Sequence, residues 1–232
     1  MGLRGNNGRL YDYGPLDDVH MTHAHGLFIS LEGGEGVGKS TQSRILADRL
    51  RALGHEVILT REPGGAPGAE DIRRLLVTGE PGRWHPMSET LLHVAARVEH
   101  VAKSVRPALD RGAVVVTDRY VDSTRVYQGI LQGIGGPVVD ELHRIALGDL
   151  MPDLTLVLDL PSTQGLARAN RRLGDEDRYE RMGDAFHARL RDAFVALART
   201  HHERCRLIDA SGTEEQVAQA IWPHIQTLVS TR

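Results

Sequence analysis

The octapeptide Gly33-Gly34-Glu35-Gly36-Val37-Gly38-Lys39-Ser40, followed by Thr41, carries the pattern G-x-x-x-x-G-K-[ST]. Glycines at these places let successive backbone N–H groups converge on phosphate oxygens, and the N-terminus of a following helix adds partial positive charge. Lys39 is then placed to reach the β- and γ-phosphates of ATP, and the Ser40 hydroxyl to hold Mg²⁺. A glycine-rich turn that merely joined a strand to a helix would not need Lys and Ser after its last glycine. Glu35 is harder to place, because a carboxylate among phosphate-binding amides is unfavourable unless it faces away. Further along, an apolar run ends in Asp118-Arg119-Tyr120. An arginine beside the γ-phosphate suits a phosphoryl acceptor that is itself anionic. The guanine-reading tetrapeptide Asn-Lys-x-Asp does not occur in the chain, which argues against a GTPase.

Positioning such residues requires a sheet, and from Leu27 onward short apolar runs alternate with helical patterns. Strands are expected over Leu27 to Glu32, Glu56 to Thr60, Ala113 to Asp118, Leu154 to Leu160 and Arg206 to Asp209. Several are too apolar to be half exposed. Helices are expected over Lys39 to Leu53, Ala69 to Val77, Glu89 to Arg111, Val138 to Leu147, Ser162 to Arg172, Arg178 to Glu203 and Glu214 to Val229. Gly54, Gly112 and Gly148 act as stop signals, and Thr213 as the last N-cap. The fold class is therefore α/β, a three-layer sandwich with a five-stranded parallel sheet and helices on both faces, of the P-loop NTP hydrolase type.

Composition bounds the rest. With 232 residues, 41% hydrophobic and 25% charged, the chain can bury one sizeable core. A formal net charge of -3 gives no basic excess for a nucleic acid polymer. No stretch approaches the roughly 18 apolar residues of a membrane span, so a membrane role has no support. A single cysteine, Cys205, and the lack of a signal-peptide run point to the cytoplasm. Residues 1–26 read as a flexible N-terminal extension, with residues 27–232 forming the domain; Met21 is a candidate start. His20, His23 and His25 are metal-ligand types, but a polar tail with neighbouring histidines is the plainer reading.

Taken in order, Glu32 to Thr41, Thr60-Arg61-Glu62-Pro63-Gly64-Gly65, Asp118 to Thr124, Tyr127-Gln128-Gly129, Pro152-Asp153-Leu154-Thr155 and Asp177-Arg178-Tyr179-Glu180 resemble the motifs of bacterial thymidylate kinases. The resemblance covers Leu27 to the C-terminus. It implies a homodimeric, Mg²⁺-dependent enzyme that converts dTMP to dTDP with ATP. A phosphate acceptor is already anionic near neutral pH, because its second pKa is about 6, so no general base is needed. Catalysis reduces to alignment and charge neutralisation by Lys39, arginines and Mg²⁺.

Arg119 is the first candidate to clamp the acceptor phosphate, and Asp118 to support Mg²⁺ through water. A basic lid is expected at about 168–180. The resemblance implies that members without an arginine in the phosphate loop take one from the lid, here Arg171 or Arg172. It further implies that Glu35 contacts the sugar 3′-hydroxyl and an acceptor-binding arginine, that Glu62 and Pro63 line the acceptor cleft, and that Arg73 lies near the acceptor phosphate. Arg97, Thr124 and Gln128 would read the base, and Tyr127 would sit under the deoxyribose. Arg61 is expected in a structural ion pair, and the adenine beside Ala210-Ser211-Gly212. The family commonly has a stacking phenylalanine where this chain has His93. Imidazole can stack, hydrogen-bond and titrate near its unperturbed pKa of about 6.5, so weaker or pH-dependent stacking, or an altered base preference, is expected. The remaining alternatives are a kinase for another pyrimidine monophosphate or a biosynthetic phosphate or phosphonate, and a nucleotide-binding regulatory module without turnover.

Overall fold

A computed structural model describes residues 26–169 and 178–230. The extension up to His25, with His20, His23 and His25, lies outside the described residues, as do Arg171 and Arg172 of the expected lid. Gly26, counted above with the extension, is buried against the domain: a Cβ there would meet Leu109 Cα at 2.6 Å.

Five parallel strands, β1 (Leu27–Glu32), β2 (Val57–Arg61), β3 (Val114–Asp118), β4 (Leu154–Asp159) and β5 (Cys205–Asp209), form one sheet in the order β2-β3-β1-β4-β5. The register pairs Leu31 of β1 with Asp118 of β3 and Glu32 with Val157 of β4. β1 is buried along its whole length. Its alternate residues face opposite layers, as the period of a strand demands. Leu27, Ile29 and Leu31 pack with Leu46 and Leu50 of α1 (Lys39–Ala52) and Val217, Ile221 and Ile225 of α9 (Glu214–Ser230). Phe28 packs on the other face, with Val101, Val105 and Leu109. Because β2 and β3 lie on one side of β1 and β4 and β5 on the other, the winding reverses at β1. Such a reversal is where open α/β sheets bind ligands, outside the carboxyl ends of the strands.

The remaining helices are α2 (Pro67–Val77), α3 (Pro86–His100), α4 (Arg106–Asp110), α5 (Val121–Thr124), α6 (Gly136–Leu147), α7 (Ser162–Ala169) and α8 (Asp184–Thr200). Three expectations need correction. The single helix expected over Glu89 to Arg111 begins earlier, at Pro86, where His85 Nδ1 accepts from the Met87 amide. It also widens into a π-helical segment over Val101–Val105 before α4, because Pro107 has no N–H to close the α-helical ladder behind it. The helix expected from Arg178 starts only at Asp184, since Gly183 breaks the chain with φ 86°. No element was expected at 121–131, yet α5 runs into a π-helical segment, Arg125–Leu131. Its wider turn obeys no 3.6-residue apolar period, so the sequence pattern does not reveal it. Among the described residues, no helix is long and apolar enough to cross a membrane.

Candidate functional site

The loop between β1 and α1 is shaped by Gly33, Gly36 and Gly38, with φ of 131°, 68° and 98°. Gly36 is also held at close range. A Cβ there would meet the carbonyl oxygen of Gly165, in α7, at 1.9 Å. Lys39 opens α1 and is buried, its Nζ donating to the carbonyls of Gly33 (3.1 Å) and Gly34 (2.7 Å). Ser40 Oγ donates to Asp118 Oδ2 at 2.7 Å, which joins the loop to the end of β3. On the outer side of the loop, Gly36, Val37, Gly38 and Thr41 share a cavity with Arg168, Ala210 and Gly212.

Arg119 follows β3 with φ 73°, the one non-glycine residue of positive φ among the described residues. A left-handed residue with a Cβ is strained by roughly 1–2 kcal/mol, and such strain persists only where its surroundings over-determine it. The contacts here do so. Nη1 donates to the Gly33 carbonyl (3.1 Å) and Ser123 Oγ (3.0 Å), and Nη2 to both oxygens of Glu35 at 2.9 Å. Tyr127 Oη donates to Glu35 Oε1 at 2.6 Å, closing a triangle with Arg119. Glu35 therefore turns away from the loop amides. Burial works to raise its pKa, but Arg119, then Lys39, overcome that and hold the carboxyl at about 2.

Behind this triangle Glu32 is completely buried, accepting from the Tyr120 amide (2.7 Å) and Ser123 Oγ (2.6 Å). Burial, and then the nearby Asp122 charge, push its pKa up to about 8.

Glu35 and Arg119 form one wall of a cleft of about 640 Å³, measured out to its mouth. Glu62, Pro63, Arg73, His93, Arg97, Thr124, Tyr127 and Gln128 line it as well. Of the residues expected at the acceptor side, every one is thus brought to a single cleft. The buried Glu62 carboxylate accepts from Arg97 Nε (2.7 Å) and His100 Nδ1 (2.9 Å), and Arg97 Nη2 donates to Thr124 Oγ1 (3.0 Å). Arg73 Nη1 donates to the Pro63 carbonyl at 2.7 Å. Arg61 stands outside the cleft in an exposed pair with Glu70 at 3.2 Å.

Two expectations change at the far end of this cleft. His93, on α3, is hydrogen-bonded to Tyr179 Oη at 3.0 Å, and burial, followed by the Arg97 charge, pushes its pKa down to about 4. It is neutral near pH 7, so the expected titration of base stacking is displaced out of that range. Arg178, counted with the lid, is instead buried in the body of the domain, paired with Glu89 and donating to the Leu76 carbonyl at 2.9 Å.

Glu89 was not anticipated as a site residue, nor were Glu32, Ser123 and Tyr179 beyond their place in motifs. A glutamate in the first turn of a helix ordinarily reads as a solvated complement to the helix dipole. Only the fold reveals that this one is buried behind the cleft.

A family model described as "Thymidylate kinase" matches residues 31–221. The chain is 53% identical to a thymidylate kinase of Caulobacter vibrioides over 196 residues, 84% of this chain and 94% of that protein. It is 50% identical to a thymidylate kinase of Dinoroseobacter shibae, over 86% of this chain and 96% of that protein. A crystal structure of thymidylate kinase from Ehrlichia chaffeensis superposes with a TM-score of 0.71 at 32% identity, covering 87% of this chain and 99% of that one.

Proposed function

The chain belongs to the thymidylate kinase family and phosphorylates dTMP, and from that premise we propose how its residues divide the work. ATP rests its phosphates on residues 33–41, with Lys39 against the β- and γ-phosphates and the adenine beside Ala210, Ser211 and Gly212. dTMP enters the cleft lined by Glu62, Pro63, Arg73, His93, Arg97, Thr124, Tyr127 and Gln128. An oxygen of its phosphate attacks the γ-phosphorus, the bond from that phosphorus to the β,γ-bridging oxygen breaks, and ADP leaves with the electron pair. The product is dTDP. No base is required, since the attacking oxygen is already anionic near neutral pH.

Arg119 is the observation that carries this reading. Its guanidinium bonds both to the Gly33 carbonyl of the phosphate loop and to Glu35 on the wall of the acceptor cleft. One rigid cation therefore lies between donor and acceptor, where negative charge gathers during transfer. Glu35, ionised throughout the working range, holds Arg119 in place and offers an acceptor to the sugar 3′-hydroxyl.

Ser40 Oγ and Asp118 Oδ2 are hard oxygen donors at the foot of the loop, the chemistry Mg²⁺ takes, and they are the residues that would hold it. Bound there, the ion supplies charge neutralisation on the donor phosphates. The loop itself contains no arginine, so Arg171 or Arg172 supplies a second cation to the transferred group. Leu91 on α3, Ile130, and Val138 and Ile145 on α6 are exposed apolar side chains on neighbouring elements, which supports a homodimer. We place the enzyme in the cytoplasm.

A coupled ADP-release assay across deoxy- and ribonucleoside monophosphates tests the reading. Turnover greatest with dTMP and dependent on Mg²⁺ is the expected result. ADP production with no monophosphate would sink it.

A further inference from the structure

Glu89 lies behind the cleft with its side chain fully buried, and four donors from four residues converge on it. Oε1 accepts from Gln128 Nε2 (2.8 Å), Gln132 Nε2 (2.7 Å) and Tyr179 Oη (3.1 Å), and Oε2 from Arg178. Although burial opposes it, the Arg178 hydrogen bond keeps the carboxyl below its ordinary pKa. It brings no proton of its own and can only accept.

That restriction propagates. Gln128 must turn its amide nitrogen to Glu89, so its carbonyl oxygen is the group left for the cleft. Gln132 does the same, even though its Oε1 is left buried without a partner. Tyr179 has one hydroxyl proton and gives it to Glu89, so its oxygen accepts from His93 Nε2 at 3.0 Å. His93 must then carry its proton on Nε2, and Nδ1 keeps a bare lone pair. The groups facing His93 agree. Burial and the charges of Arg97 and Arg178 disfavour a second proton, outweighing Glu89 and Glu62, so the ring holds only one.

We infer that Glu89 is a positioning residue that sets the hydrogen-bond polarity of the base-reading wall, presenting acceptors from Gln128 and, through Tyr179, from His93. Arg97 contributes a donor beside them. Thymine and uracil carry a carbonyl next to one imide N–H, so Arg97 serves the carbonyl and one of these acceptors takes the N–H. Cytosine offers the reverse, an amino group beside a bare ring nitrogen, and meets acceptor against acceptor. The specificity thus comes from one buried carboxylate that touches no substrate.

This inference rests on the pyrimidine-kinase reading but is tested separately from it. Nitrogen-15 NMR of histidine-labelled full-length protein without substrate reads the His93 tautomer, with His93→Phe assigning the signal. Wild type is expected in the Nε2–H form and Tyr179→Phe in a mixture of forms. In the same Tyr179→Phe protein, the ratio of kcat/KM for dTMP over dCMP is expected to fall by about tenfold, the scale of one net hydrogen bond. Tyr179→Phe keeps the ring and the Arg178–Glu89 pair, so an unchanged melting temperature separates the loss from unfolding. Glu89→Gln should lower the ratio at least as far where it folds. An Nδ1–H tautomer in wild type, or a dTMP/dCMP ratio in Tyr179→Phe within about twofold of wild type, overturns the inference. Failure of every monophosphate to turn over would instead overturn the pyrimidine-kinase reading, while the NMR result would still decide the tautomer.

Discussion

Arg119→Lys isolates what the guanidinium contributes beyond its charge. Arg119 makes five donor contacts at 2.9–3.2 Å, divided between two nitrogens that point at different groups. Nη1 serves the Gly33 carbonyl and Ser123, while Nη2 serves Glu35 and Tyr127. A lysine has one nitrogen and three protons at the end of a flexible stem, so it can satisfy one of these clusters but not span both. Charge survives the exchange, and so does the left-handed backbone, since lysine also has a Cβ. The variant is therefore expected to lose about 1–3 kcal/mol of stability, because the largely buried side chain keeps its pair with Glu35 but gives up the other cluster. Alignment with the transferred phosphoryl group is lost. Losing one donor aimed at transition-state charge typically costs about 10²–10³ in kcat, and a transition-state arginine as much as about 10³–10⁵. Steady-state ADP release at saturating ATP and dTMP, with a thermal melt alongside, measures both quantities. The expected result is a fall in kcat of at least about a hundredfold with KM for ATP little changed. A kcat within about threefold of wild type would show that Arg119 acts only as a point charge, and the bridging argument would be wrong.

Gly36→Ala drives a methyl group into the Gly165 carbonyl at 1.9 Å from a φ of 68°, so turnover should be lost together with ATP affinity, which calorimetry would detect; unimpaired binding contradicts the contact. Glu62→Ala leaves Arg97 buried without its carboxylate partner, an uncompensated charge worth about 3–5 kcal/mol, so the melting temperature should drop by roughly 6–20 °C. A shift smaller than about 3 °C would argue against a fully desolvated pair. Glu32 has a folded pKa raised to about 8, so between its unfolded value and 8 the native state holds a proton that the unfolded chain releases. Its contribution to stability is complete below that window and is lost as pH rises through it. Glu32→Gln, which mimics the protonated acid, should melt with a smaller loss than wild type between about pH 6 and about pH 8.5, and parallel curves would refute the shift. With its pKa near 4, His93 should impose no inflection on kcat/KM for dTMP between about pH 5.5 and about pH 8. An inflection near 6.5 that disappears in His93→Phe would mean the ring is more solvated than its position suggests.

Much of this molecule can be read from local pattern. The strand β1 is apolar at Leu27, Phe28, Ile29 and Leu31, the run expected of a strand buried on both faces, the glycines at 33, 36 and 38 demand backbone conformations that few other residues adopt, and Lys39 and Ser40 follow at the spacing phosphate chemistry needs. Each of these rests on neighbours in sequence, so the chain by itself determined the α/β class, the strand positions and the phosphate loop. Glu62, Arg97 and Gln128 were expected on the acceptor side only through the family resemblance, and it takes the fold to bring them and Arg119 to one cleft from the ends of β2 and β3, from α3 and from the segment after α5. Partner choice was not legible. Glu89, Arg178, Tyr179 and His93 meet across some ninety positions, and a glutamate on a helix looks the same in sequence whether it faces water or four converging donors. The strain at Arg119, the depressed carboxyl of Glu35 and the raised one of Glu32 likewise depend on burial and on charges delivered by other strands. Electrostatic and hydrogen-bond energies are set by distance in space and by exclusion of water, and only the folded chain decides either.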